Sequence, residues 1–149
     1  ILERPIESVA IVNVNGEAPL SAMVMHKRVV VGSDEKPYGY SLVTLPDLMG
    51  KLQQLETEPG AFLPMPEGDY GFLLLPSSDA MEKIDLDTLI VDRIPFSSSP
   101  IAAGYARETD KVFVAQNHNA GRMSFIGVHD DSFKTVTGYN LNDEIEVSE

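Results

Sequence analysis

The sequence predicts an all-β chain built from repeating four-stranded antiparallel units. Three observations carry that prediction. Strand markers recur with a period near 41 residues. The runs between turns are short, rich in Val, Ile, Phe and Thr, and bounded by Gly, Asn, Asp, Ser and Pro. Helical periodicity is nearly absent, and a fixed period of this length is the signature of a repeat architecture.

The period is read from three rulers. Pro19, Pro59 and Pro100 each open a strand-like stretch, at intervals of 40 and 41. The apolar runs Val29-Val30-Val31, Leu73-Leu74-Leu75 and Val112-Phe113-Val114 stand 44 and 39 apart. The alternating runs Val43-Thr44-Leu45, Ile84-Asp85-Leu86 and Ile126-Gly127-Val128 stand 41 and 42 apart.

The elements follow in order. Strands are predicted near 9–14, 20–25, 28–33 and 40–45, then 72–76, 82–86 and 90–95, then 101–105, 111–116, 123–128 and 133–137. The third unit is the most regular. Its four strands are separated by the turn Arg107-Glu108-Thr109-Asp110, the loop Asn117 to Gly121, and the turn His129-Asp130-Asp131-Ser132. Helical spacing shows weakly over Leu45 to Leu55. Pro46 stands at the start of that window and its counterparts in the other units are strand-like, so strand is predicted there too.

Met123-Ser-Phe-Ile-Gly-Val128, followed by His129-Asp-Asp-Ser-Phe-Lys-Thr-Val136, resembles the third-to-fourth strand segment of YVTN-type β-propeller repeats. Val112-Phe-Val-Ala-Gln-Asn117 and Gly121 are similar to the strand and loop that precede that segment. Ile84-Asp-Leu-Asp-Thr88, Val91 to Ile94 and Ser99-Pro100-Ile101 are similar to the second half of such a repeat. The likeness covers about residues 19–141 and is loosest in the first unit, where Gly32-Ser33 and Pro46-Asp47 depart from the pattern. It implies WD40-like four-stranded blades. Members of that family include surface proteins, binding scaffolds and redox-enzyme subunits, so the resemblance implies a fold and not one function.

Propellers close with ~4–8 blades of ~40–45 residues. The expected division is 1–18 as the last strand of a preceding blade, 19–58 as blade one, 59–99 as blade two, 100–141 as blade three, and 142–149 as the start of a following blade or a tail. Val9 to Val14 is the expected closing strand of the preceding blade. Ile1 stands where an initiator Met would, so the sequence reads as a piece of a longer precursor. The expected partners are further blades of that precursor, another copy, or a large protein assembly.

Charge and composition narrow the function classes. Lys and Arg number 11 against 23 Asp and Glu, a net charge of −12. That balance excludes nucleic acid and anionic membrane surfaces as expected partners, because both are bound through basic residues. With no cysteine, disulfides, thiolate metal sites and cysteine nucleophiles are excluded. No apolar run approaches the ~18 residues of a membrane-spanning helix. The expected location is periplasmic, secreted or cell-surface, with the cytoplasm as the alternative.

Candidate sites lie in turns. Asn117, His118 and Asn119 form the candidate interaction loop, because propeller loops gather on two faces and carry function there. His129, Asp130 and Asp131 form a weaker polar cluster with the ingredients of a metal or acid–base site; because equivalent turns recur with the period, backbone turn chemistry is the better explanation of it. Glu67-Gly68-Asp69 matches Glu108-Thr109-Asp110 as the hairpin between first and second strands, and is read as structural. No Gly-x-Ser-x-Gly elbow, phosphate loop or calcium loop is present. The sequence therefore assigns no catalytic residue, metal ligand or cofactor. The function it suggests is a non-catalytic propeller scaffold segment for protein–protein or glycan contact. The alternative is a propeller-type enzyme subunit, a quinoprotein-like dehydrogenase or a lactonase-like hydrolase.

Overall fold

The computed structural model describes residues 5–12, 21–44, 50–130 and 132–138. It is all-β, in three four-stranded antiparallel sheets. The first holds β1 (Ile6–Val12), β2 (Ser21–His26), β5 (Tyr38–Thr44) and β6 (Gly50–Leu55), in that spatial order. A small hairpin, β3 (Val29–Val31) and β4 (Asp34–Lys36), interrupts it. The second is the meander β7 (Phe62–Pro64), β8 (Tyr70–Leu75), β9 (Ala80–Asp85) and β10 (Val91–Pro95). The third is the meander β11 (Pro100–Ala106), β12 (Lys111–Gln116), β13 (Arg122–Gly127) and β14 (Phe133–Thr137). Among the described residues the one helical element is the 3-10 turn Pro76–Ser78. Among the described residues the sheets form an open stack and not a closed ring.

Burial explains the strand patterns. The second sheet is covered on both faces, so β8 is a continuous apolar run. Its Leu73 and Leu75, with Ile84 and Leu86, pack against Met23, Met25, Tyr40, Leu42 and Leu55 of the first sheet. Phe72, Leu74 and Met81 on its other face pack against Val112, Val114, Ile126 and Val128 of the third sheet. The third sheet is covered on one face, so β12 alternates strictly between buried and half-buried positions. Each large side chain fully removed from water contributes ~1.5–3 kcal/mol, and Phe72, Leu73, Met81 and Ile84 are all wholly buried. Gly104 in β11 lies beneath the ring of its cross-strand partner Phe113; a Cβ there would come within 2.7 Å of that ring.

Equivalent strands keep a near-constant offset. β9 starts 42 residues after β5 and β13 another 42 after β9; β10 starts 41 after β6 and β14 another 42 after β10. The second strands differ, because β2 starts 49 residues before β8 while β12 starts 41 after it. The β2–β5 connection, residues 27–37, is seven residues longer than the β8–β9 connection, residues 76–79. Those extra residues make the β3–β4 hairpin. Gly32, at φ 62°, supplies its two-residue turn, and a bond of 2.7 Å from Arg28 Nε to Glu35 Oε1 braces it.

Two sequence readings are corrected here. Val29–Val31 is not the counterpart of Leu73–Leu75; it sits in the inserted hairpin, where Val30 and Val31 are exposed. The core strand of the first sheet is β2, buried along its whole length. The strand expected to close a preceding blade, read near 9–14, runs over Ile6–Val12 and pairs antiparallel with β2. It is the outer strand of the first sheet, which therefore starts before the expected boundary at 19. First and fourth strands carry the same alternation, and only hydrogen-bond pairing separates them. The window Leu45 to Leu55 contains strand β6 from Gly50 onward, while 45–49 and the expected terminal segment 142–149 lie outside the described residues.

Candidate functional site

One end of the stack gathers the β7–β8, β11–β12 and β13–β14 turns. Asp69 immediately precedes β8 and Asp110 immediately precedes β12, an offset of 41 residues. Each uses its carbonyl in the same way. Leu86 N–H donates to Asp69 O at 3.0 Å, and Val128 N–H donates to Asp110 O at 3.1 Å. These bonds tie the exit of each third strand to the turn between first and second strands. His129 follows Val128 and is thereby delivered beside Asp110. The stacking of the second sheet on the third brings Asp69 to the other side of the ring.

The result is a histidine between two carboxylates. His129 Nδ1 lies 2.6 Å from Asp110 Oδ2, and His129 Nε2 bonds Asp69 Oδ2. Glu67 Oε2 stands 4.0 Å from Nε2. Tyr105 donates its hydroxyl to Asp110 Oδ1 at 2.9 Å, fixing that carboxylate from behind. The Tyr70 ring meets His129 edge-on at 5.8 Å. Lys83 covers Tyr70 at 4.3 Å and donates to Val128 O at 2.6 Å. The hydrogen bonds to Asp69 and then Asp110 raise the His129 pKa above the ordinary imidazole value. The same His129 bond holds Asp110 below the usual carboxylate range. The Asp110 bond pushes the Tyr105 hydroxyl up. With both ring nitrogens facing carboxylates, the imidazolium, a donor at each nitrogen, satisfies both.

The structure separates His129 from its expected partners. Asp130 Oδ1 accepts from Ser132 N–H at 2.8 Å and serves its own turn. The Ser132 side chain first, and then this backbone N–H, hold Asp130 below the ordinary aspartate value. Asp131 lies outside the described residues. Gly127 makes this turn possible, since a Cβ there would stand 1.8 Å from Asp130 Oδ1 and 2.5 Å from Ser132 Oγ. The partners that the sequence reading assigned only to structure, Asp69 and Asp110, are the ones that reach the ring. Their matched place in successive units was the visible signal.

Asn117, His118 and Asn119 lie at the opposite end of β13, all exposed. Asn117 N–H donates to Ser99 O at 2.8 Å, and His118 Nδ1 accepts from Ala120 N–H at 3.1 Å. The loop is therefore a tight turn capped by its own imidazole. Behind it, Arg122 joins Ser98 at 3.1 Å and Thr137 at 3.0 Å. The third histidine, His26, is buried, with Nε2 2.7 Å from Ser41 Oγ.

A second polar spot lies between the first two sheets. Glu82, 9 % exposed, accepts from Tyr40 Oη at 3.3 Å beside its cross-strand neighbour Arg93. It lines a cleft of about 150 Å³ with Gln54, Thr57, Ser78 and Arg93. Burial raises the Glu82 pKa, against the Tyr40 bond and the Arg93 charge, and burial likewise raises that of the Tyr40 hydroxyl.

Chemically, the rim cluster offers an imidazole nitrogen and carboxylate oxygens to one point. The ligand atoms of Glu67, Asp69 and His129 all lie within 4.8 Å of one another. Asp69 and Asp110 converge from successive units, as a multi-unit active site requires, but one imidazole engages both and leaves neither as a free general base. The chain matches no protein-family model and no curated protein sequence.

Proposed function

We propose that this chain is a non-catalytic β-propeller-type scaffold segment that works by stacking sheet on sheet and so mediates protein–protein contact. One observation carries the reading. On the first sheet, cross-strand pairing puts Val9, Val24, Ser41 and Leu52 in one row and Ile11, Ala22, Val43 and Gly50 in the next. Both rows face away from the second sheet. Val9, Ile11 and Leu52 are 55 %, 59 % and 49 % exposed. The central Ala22, Val24 and Val43 form a separate apolar cluster on that face and are themselves buried, so its open apolar surface lies on the edge strands, at Val9, Ile11 and Leu52. An apolar sheet face of this kind marks a site of association, and the partner that fits is another four-stranded sheet with the same spacing of apolar rows.

The test is the mass of the chain in solution, with and without Val9→Asp plus Ile11→Asp. The unaltered chain is expected to associate beyond its 16.3 kDa mass. The double variant is expected to run as a monomer with its circular dichroism retained. A cooperatively folded 16.3 kDa monomer of the unaltered chain refutes the proposal.

A further inference from the structure

We propose that Glu67, Asp69 and His129 bind one Zn²⁺ ion on the rim between the second and third sheets, with Asp110 as the positioning residue for the imidazole. The first ground is geometric. Glu67 and Asp69 come from the β7–β8 turn of one sheet, and His129 from the β13–β14 turn of the next. Their donor atoms nevertheless lie within 4.8 Å of one another. Zinc bonds of ~2.0–2.2 Å in a tetrahedron require donors roughly 3.3 Å apart, so Glu67 has to close in, while His129 Nε2 and Asp69 Oδ2, now in direct hydrogen-bond contact, have to part to admit the ion. The Glu67 side chain is 63 % exposed and free to rotate toward the ring.

The second ground is the orientation of the ring. Asp110 takes Nδ1 at 2.6 Å, and Tyr105 holds Asp110 in turn at 2.9 Å. Metal-bound histidines characteristically give one nitrogen to a carboxylate while the other coordinates. Here Nε2, the nitrogen left over, is the one that points at Asp69 and Glu67. On binding, its proton leaves to the buffer and the metal takes that place.

The third ground is charge. Glu67, Asp69 and Asp110 bring three carboxylates to a site where His129 carries at most one positive charge. The ammonium of Lys83, beside the ring, is committed to Val128 O and the Tyr70 ring. A divalent cation offsets the excess. An imidazole nitrogen in the donor set selects zinc over calcium or magnesium, which take oxygen. Three protein ligands leave a fourth position for water.

The test titrates ZnCl₂ into EDTA-stripped, dialysed protein by calorimetry, with a chromophoric chelator as competitor. One equivalent is expected to bind. Glu67→Gln and His129→Asn are each expected to abolish that binding, and Asp110→Asn to weaken it about 10- to 100-fold. His118→Ala, at the other end of β13, is expected to bind as the unaltered chain does. Glu67→Gln keeps the test valid if His129→Asn fails to fold, because the glutamate is exposed and forms no strand pairing. Failure of the stripped protein to bind zinc overturns the proposal. So does binding that survives Glu67→Gln undiminished, binding lost on His118→Ala, or calcium bound more tightly than zinc.

Discussion

Replacing Glu82 with Gln should stabilise the protein at neutral pH, and by more as the pH rises from 4 to 7. Glu82 sits on the face of β9 that meets the first sheet, among Leu73, Ile84 and Tyr40. At 9 % exposure the residue is largely withdrawn from bulk water, with its carboxyl on the wall of the narrow cleft beside Arg93. The return is one hydrogen bond of 3.3 Å and the field of Arg93. An ion left this dry costs several kcal/mol after relaxation, and a hydrogen bond to a charged group returns ~1.5–3 kcal/mol. The remaining deficit is about 1–2 kcal/mol. Glutamine keeps an oxygen for the Tyr40 hydroxyl and brings no charge. The sign follows from the raised pKa. Below the unfolded-state value the carboxyl is protonated in both states and costs nothing extra. As pH rises, the unfolded chain ionises first, so the folded state holds more protons and stability falls until the pH passes the folded-state pKa. The variant lacks that fall. Thermal unfolding at pH 4, 5.5 and 7 checks it, with a gain of roughly 2–4 °C per kcal/mol expected at pH 7. A variant less stable than the parent at pH 7, or a difference that does not move with pH, refutes the reasoning.

Leu73→Ala empties the middle of the packing between the first two sheets and is expected to cost ~2–5 kcal/mol by denaturant titration; a loss under ~1 kcal/mol would mean that the sheets are not in contact there. Gly127→Ala drives a methyl group into Asp130 and Ser132, and should cost ~1–3 kcal/mol and broaden the His129 imidazole NMR signals as the turn is displaced. His118→Ala with Asn119→Ala removes exposed side chains and one cap to Ala120, and should stay within ~1 kcal/mol of the parent by thermal unfolding.

The fold was legible where a strand's pattern depends on how many of its faces are covered. β8 shows this directly, a continuous apolar run covered on both faces, whereas β12 also reads as an apolar run and only its burial alternates. The first sheet was harder for a specific reason. Its seven extra residues fall between second and third strands, so the ruler built on third strands kept its spacing while the ruler built on second strands fixed on Val29–Val31. Valines in an exposed hairpin read like valines in a core strand, because β-branched residues suit either. β7, with three residues and a terminal Pro64, carried too little pattern to be placed, and β6, mostly polar and exposed, was read as strand only through its counterparts in the other units.

The site was half legible, and the missing half has a physical explanation. His129 was found as a titratable residue in an acidic turn. Its partners were sought among its neighbours in sequence, but adjacent turn carboxylates are usually spent on turn amides, as Asp130 is on Ser132. The groups that reach the ring come from 19 and 60 residues away. Nothing in local spacing marks them. The stack does, because Asp69 and Asp110 hold the same place in successive sheets. Once sheets pile face to face, side chains at equivalent turn positions become neighbours across the interface. A residue that ends a third strand on one sheet then meets two such turns, its own and the one beneath. In a stacked-sheet chain, then, matched polar residues one period apart belong on any list of candidate ligands, even where each alone reads as a turn.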